Sequence, residues 1–159
     1  RAQACLGDSR LAMTSIDFSG TPVNVASYHA VLPWPYAQAA IIDKLVPELQ
    51  KFDGPSIIAG DFNATPWSNA VYGIEKASGT KAMTGIGGSW MPQSLPMTLA
   101  PFVGLPIDQV LVTPDITAPV ATTRDETGSD HRPVRLEFSV PMPVRPDIEE
   151  PEPQSVMLQ

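Results

Sequence analysis

Hydrophobic and polar positions alternate at the start of the chain. "RLAMTSIDF" reads apolar and polar in turn, breaks at "SGTP" and resumes through "VNVASYH". This pattern predicts two strands, near 10–18 and 23–29, joined by a turn that Gly20 and Pro22 mark. The period then changes. In "YAQAAIIDKLVPELQKF", Ala37, Ala40, Ile41, Leu45 and Leu49 recur at spacings of three and four, which predicts a helix. Pro35 sits where such a helix can start, and Pro47 is expected to kink it, because an interior proline removes a backbone bond. "FDGP" ends the helix, and residues 56–59 of "SIIAG" read as a short buried strand. Ser68 is placed to cap a short helix reaching about residue 77. Residues 78–106 are rich in Gly and Pro and lack a period, so they read as a long ordered loop of the kind that often carries function. Strands follow at 107–113, 116–124 and 132–140. In the last of them Val134, Leu136 and Phe138 share one face, with Arg135, Glu137 and Ser139 on the other.

Composition narrows the class. The 159 residues are 43% hydrophobic and 17% charged, which suits one globular domain over 1–140. Residues 141–159 are rich in Pro and Glu without a hydrophobic pattern and read as a disordered tail. The net charge of −7 argues against a bulk electrostatic grip on nucleic acid, which needs clustered Lys and Arg. A single cysteine, Cys5, excludes an internal disulfide framework and a cysteine-based zinc site; it reads as a small residue near a frayed end. The apolar runs fall far short of the roughly 20 residues of a membrane span. The N-terminus has neither an apolar signal core nor an initiator Met, which fits a processed or cut piece.

Four stretches hold the candidate chemistry: "SYHA" with His29, "GDFNA" with Asp61 and Asn63, "PIDQV" with Asp108, and "GSDHRP" with Asp130 and His131. Both histidines of the chain fall in this set. Each group lies at the end of a predicted strand beside a turn, where a sheet presents side chains to a cleft. Taken singly, each has a plainer reading. Asp61 and Asn63 suit an Asx-turn, Asp130 after Ser129 suits turn chemistry, and His29 suits a partly buried histidine. Asp108 is different, because a carboxylate inside an apolar strand needs a partner. His131 can be that partner, since an Asp–His pair fixes the imidazole tautomer. Together the oxygen donors suit a hard cation such as Mg²⁺ or Mn²⁺, which in turn suits phosphate esters.

The motifs "SYHAVLPWP", "IIAGDFNATPWS", "GSW", "IDQVLV" and "GSDHRPVRLEF", in this order, resemble the endonuclease/exonuclease/phosphatase superfamily with its deoxyribonuclease I-like fold. The resemblance spans roughly residues 10–140. It implies an α+β chain forming part of a four-layered α/β/β/α sandwich, with mostly antiparallel strands and flanking helices. It also implies metal-dependent hydrolysis of a phosphoester, either a diester or a monoester. Carried over, Asp61 activates or orients water and Asn63 holds a phosphate oxygen or the metal side. Asp108 orients His131, His131 contacts the phosphate, His29 assists the phosphate or leaving group, and Asp130 is the metal residue. The implied cofactor is Mg²⁺ or Mn²⁺, and the implied substrate is a nucleic acid, a nucleotide or a lipid-like phosphoester. The acidic balance leans away from long duplex DNA. Two departures stand out. No Glu in the chain matches the family's principal metal ligand, and Gln109 stands where many relatives have His. The chain therefore reads as the C-terminal half of a catalytic domain, inactive alone, whose partner is the missing N-terminal half or an associating chain. The alternative is a non-catalytic remnant or binding module.

Overall fold

The computed structural model describes the backbone of residues 4–6 and, in full, residues 10–35, 38–125 and 127–141. Of the expected tail at 141–159, residues 142–159 lie outside the described residues, as does Ala37 of the predicted helix; the Pro141 carbonyl accepts from the Thr21 hydroxyl at 2.7 Å. Six strands form the large sheet. They are β1 (Ala4–Leu6), β2 (Leu11–Phe18), β3 (Thr21–Tyr28), β4 (Ser56–Asp61), β5 (Lys81–Ala82) and β6 (Asp108–Val112). Their spatial order is β1-β2-β3-β4-β6-β5. All neighbours run antiparallel except β3 and β4. Parallel strands need a long crossover, and helix α1 (Gln38–Leu49) supplies it. Strands β7 (Thr117–Thr123) and β8 (Val134–Ser139) form a separate antiparallel ribbon.

Two apolar cores separate these layers. On one face of the large sheet, Leu11, Ala26, Tyr28, Ile58 and Leu111 pack against Ile42, Leu45 and Leu49 of α1 and Val71 and Ile74 of helix α2 (Asn69–Ser78). On the other face, Val23, Ile57, Val110 and Val112 meet Ala121 of β7 and Leu136 and Phe138 of β8. Phe18 stacks edge-to-face on Phe138 at 5.4 Å. The alternation expected for the last strand follows from this second core. The result is a mixed α+β fold with helices, sheet and ribbon in successive layers, as the motifs imply.

Local chemistry explains most element boundaries. The β2–β3 hairpin turns at Ser19 and Gly20, both at positive φ (54° and 93°), the two-residue turn that matches strand twist. The turn is thus one step earlier than Pro22 suggests, and Pro22 lies within β3 opposite Asp17. It is tolerated there because β4 pairs with β3 only from Asn24 onward. Pro47 lies inside α1 without ending it. Asp43 and Pro47 are both exposed, so water can take the carbonyl that proline leaves unbonded. Ser68 caps α2 by accepting from the Val71 N–H at 3.2 Å, and Gly79 ends the helix at φ 68°.

Two regions differ from the sequence reading. Cys5 lies in strand β1, its backbone registered against Ala12, rather than at a frayed end. The stretch 78–106 is not loop throughout. It holds β5, a 3₁₀ turn at Met97–Leu99 and the short helix α3 (Ala100–Val103). These were not legible because they are held by distant partners, such as the Trp90–Leu105 bridge, and carry no period of their own.

Candidate active site

The site grows from the end of β4. Gly60 has φ 147°, and a Cβ there would collide with the Tyr28 carbonyl oxygen of the parallel neighbour β3. Glycine is required by this close approach. The chain then turns. Phe62 is 1% exposed and packs edge-to-face on Tyr28 at 5.3 Å. With Phe62 driven into the helix-side core, Asp61 and Asn63 on either side are left at the sheet end. The backbone is pinned there by the Ala30 N–H donating to the Asp61 carbonyl (2.8 Å) and the Phe62 N–H donating to the Ile107 carbonyl (2.9 Å). The Asn63 N–H donates to Asp61 Oδ1 at 2.8 Å, an Asx-turn with Asn63 at φ 46°. The plain and the chemical readings of "GDFN" thus describe one geometry.

Strand register brings in the next group. Asp108 opens β6 directly opposite Asp61, so two carboxylates lie side by side. Asp108 Oδ2 is 2.9 Å from His131 Nδ1. A carboxylate only accepts, so Nδ1 carries the proton and Nε2 is left for a ligand. The partner that Asp108 requires is therefore present. His29 Nε2 lies 3.6 Å from Asp61 Oδ2, and its side chain is mostly exposed. His29, Asp61, Asn63, Asp108 and His131 thus form one connected row across β3, β4, β6 and the segment leading into β8. Asp130 stands apart from this row in its bonding: its Oδ2 accepts from the Trp90 indole N–H at 3.3 Å.

Burial raises the Asp61 carboxyl above its ordinary value of 3.8. The neighbouring Asp108 charge adds to the rise, while the Asn63 N–H and the two histidines hold it back. Asn63 spends its amide protons on the protein, donating to the Ala30 carbonyl at 2.9 Å and to Asp61 Oδ2 at 3.2 Å. In this arrangement it aims Asp61, and its own Oδ1 is the atom left for a ligand. The donor set does not fit a complete metal shell. Among the described residues, no three side chains of His, Cys, Asp and Glu gather closely enough to hold one ion. Asp61 and Asp108 are engaged by Asn63 and His131, and Asp130 by Trp90.

Several supporting residues escape a reading by motif. Gln109 is 2% exposed and donates to the Ala64 (2.9 Å) and Pro106 (2.7 Å) carbonyls, tying the "GDFNA" turn to β6. Buried Gln38 does the same from α1, donating to the Val31 (2.7 Å) and Phe62 (3.0 Å) carbonyls. Ser89 Oγ accepts from the Asp108 N–H at 3.1 Å. Trp90, the last residue of "GSW", bridges by backbone to both Leu105 and His131. A polar residue inside an apolar strand, as in "IDQVLV", is the one sequence signal that marks such a bracket.

The profile of the Endonuclease/Exonuclease/phosphatase family matches residues 6–131. The chain belongs to this family. Solved structures agree on the fold. Beta toxin from Staphylococcus aureus superposes with a TM-score of 0.62 at 17% identity, covering 81% of this chain and 57% of that one. An AP endonuclease from Archaeoglobus fulgidus gives 0.61 at 16% identity, covering 82% and 65%. A 3′ phosphatase from Neisseria, bound to product DNA hairpin, gives 0.59 at 18% identity, with the same coverage of 82% and 65%. A beta toxin variant was solved with bound magnesium ions. The chain spans between about half and two thirds of the length of these relatives. No curated protein matches it. Among the described residues no helix is long and apolar enough to cross a membrane.

Proposed function

We propose that this chain is the phosphate-side half of a metal-dependent phosphoester hydrolase. The observation that carries the reading is the connected row Asn63–Asp61, Asp108–His131, with His29 3.6 Å from Asp61. Hydrolysis needs a water placed in line with the ester bond and donors on the phosphate oxygens. Asp61 suits the first task, because a carboxyl raised toward neutral pH holds a proton more readily as a base. Asn63 aims it. His131, held by Asp108, keeps Nε2 out of that pairing, and in the doubly protonated ring Nε2–H would donate to a phosphate oxygen. Exposed His29 can reach the phosphate or the leaving oxygen.

The family's Mg²⁺ or Mn²⁺ would neutralise charge on the phosphoryl group. Asp130 is the residue we assign toward it, with its other ligands coming from outside the described residues. A partner is suggested by the shape of the second sheet face. The β7–β8 ribbon covers only part of it, and a cavity of about 550 Å³ remains, walled by Val25, Ser27, Ala59, Asp108, His131 and Val134. The other half of the domain, supplied by a longer form of the protein or by a second chain, is the occupant we assign to the uncovered part of this face, leaving the Asp108 and His131 wall of the cavity open to substrate. One observation favours the alternative of a non-catalytic binding module: too few metal ligands gather among the described residues.

Activity against bis-p-nitrophenyl phosphate separates the two. Residues 1–159 alone are expected to stay at background with Mg²⁺ or Mn²⁺. A form with the other half restored is expected to turn over, and to lose at least about 100-fold on Asp61→Ala or His131→Ala. No turnover in the restored form would favour the binding module. Metal-dependent turnover by the isolated chain, abolished by Asp61→Ala, would show that no further ligand is needed.

A further inference from the structure

A cavity of about 310 Å³ borders the row at His29. Its wall is Arg10, His29, Ala30, Val31, Leu32 and Asn63. His29 and Asn63 belong to the row, whereas Arg10 has no part in it.

Three cavities touch the row, and they differ in charge. One lies beside α1 and α2 and has Asp43 in its wall, with no Lys or Arg. The cavity on the open sheet face has Asp108 and Arg132 together. In the cavity at His29, Arg10 is the one permanently charged side chain and His29 the one other titratable group among the described residues of the wall. On a chain of net charge −7 this is a local surplus of positive charge. Asp61 is not in the wall: it is engaged by the Asn63 N–H and lies 3.6 Å from His29 Nε2.

The fold fixes Arg10 at this place. Its φ is 56°, a left-handed conformation that glycine adopts freely and other residues seldom do. Its carbonyl accepts from the His29 N–H at 3.2 Å, and Leu11, the next residue, opens β2 opposite Tyr28. The Tyr28 phenol feels the guanidinium charge, which favours its ionisation against the larger opposing effect of burial. An arginine is thus held where glycine would be less strained, and such an outlier beside a site calls for a functional reason.

We infer that Arg10 and His29 form a subsite for a second phosphate group of the substrate, on the His29 side of the ester that is cleaved. The inference rests on the phosphoester reading above and narrows its substrate class to esters that carry a further phosphate on that side. A guanidinium offers paired N–H donors that match phosphate oxygens. A phosphate monoester is close to a dianion with three strong acceptor oxygens, so it gains more from one fixed cation than a carboxylate does. His29 borders both the cavity and Asp61, so the two phosphates would lie on either side of its ring.

The first arm of the test is binding by residues 1–159, which does not depend on turnover. Inorganic phosphate is titrated into the isotope-labelled chain at low salt without metal, and amide resonances are followed. Shifts are expected at His29, Ala30, Val31 and Leu32, and not at Thr127 or Ser129 of the cavity on the open sheet face. Arg10→Gln, which leaves the backbone demand the same, should weaken binding at least about 10-fold, and Arg10→Lys should keep part of it. Thermal melts check that each variant folds. The second arm uses the form with the other half restored. It compares bis-p-nitrophenyl phosphate with p-nitrophenyl 3-phosphopropyl phosphate, which carries the second phosphate. The second ester should have the higher kcat/KM, and Arg10→Gln should cut that preference at least about 10-fold. Absence of shifts, shifts centred on Thr127 and Ser129, or binding that Arg10→Gln retains would overturn the inference. Phosphate binding through Arg10 without preference for the second ester would assign the cavity to free phosphate and overturn the substrate class. If phosphate binds through Arg10 but the restored form cleaves neither ester, the hydrolase reading fails and the anion site stands.

Discussion

The two flanks of the candidate site are built by different means. On the Asp61 flank, backbone holds the geometry. Gly60 lets β4 approach β3, the Ala30 and Phe62 N–H groups clamp the turn, and Phe62 anchors it in the core. On the His131 flank, side chains do much of the holding. Asp108 orients the ring, the Ser129 hydroxyl accepts from the His131 N–H at 3.1 Å, and Trp90 donates to Asp130. The first arrangement is set by backbone contacts and tolerates little. The second rests more on side chains and can loosen stepwise. A site made of one rigid and one adjustable flank would keep the Asp61 carboxylate fixed while the His131 imidazole adapts.

The largest expected effect breaks the rigid flank. Gly60→Ala puts a methyl group against the Tyr28 carbonyl at a φ that L-residues rarely adopt. We expect a loss of about 3–5 kcal/mol in urea unfolding, or no folded protein. Gly54→Ala is the control. Gly54 also has positive φ, 72°, but nothing lies within 4 Å of a Cβ there. It should cost only about 1 kcal/mol. Equal losses at the two sites would show that backbone strain alone, and not the close approach of β3 and β4, makes Gly60 necessary.

The same contrast explains what was legible in the sequence. "GDFN" could be read because its geometry is encoded within a few residues: a glycine, an aromatic anchor and an Asx pair. The Asp108–His131 bond could be anticipated because a carboxylate in "PIDQV" needs a partner. The hairpin, α1, α2 and the last three strands followed from period and caps. The rest depended on contacts that no local pattern records. β1 and β5 are short edge strands that exist by pairing with β2 and β6. Helix α3 packs so closely that a Cβ on Gly88 would strike the Ala100 carbonyl. Gln38 and Gln109 bracket the turn through carbonyls far away in sequence.

A smaller effect sharpens the view of the adjustable flank. Trp90→Phe removes the indole N–H from Asp130 while keeping an aromatic ring and the backbone bridges. The bond is long, 3.3 Å, so we expect about 1 kcal/mol of stability to be lost. The informative readout is local. Amide exchange should quicken at Met91 and Arg132, whose N–H groups bond to Asp130 and Ser89 across this flank. It should stay slow at Ala30 and Phe62 on the other. Uniform acceleration at all four amides would mean that the flanks open as one unit.

The smallest effect is electrostatic and tests whether the rigid flank stores an unfavourable charge. The Asp61 carboxyl is raised above 3.8 in the fold, first by burial and then by Asp108. The sign of the consequence follows. A raised carboxyl binds its proton more tightly folded than unfolded, so Asp61 carries no penalty below pH 3.8. The penalty develops as pH rises from that value through the raised one, and it persists at neutral pH. Asp61→Asn keeps an oxygen to accept from the Asn63 N–H, gives up the longer 3.2 Å bond from the Asn63 amide, and removes the charge that burial and Asp108 oppose. The variant should therefore melt higher than the parent at pH 7, and the advantage should shrink to nothing as pH falls below 3.8. This is the pattern of a group kept for chemistry at a cost to stability. A variant that melts lower at pH 7 would mean that hydrogen bonds to the ionised carboxylate outweigh its desolvation. Asp61 would then belong to the scaffold of the turn, and the base assigned to it would have to be sought elsewhere in the row.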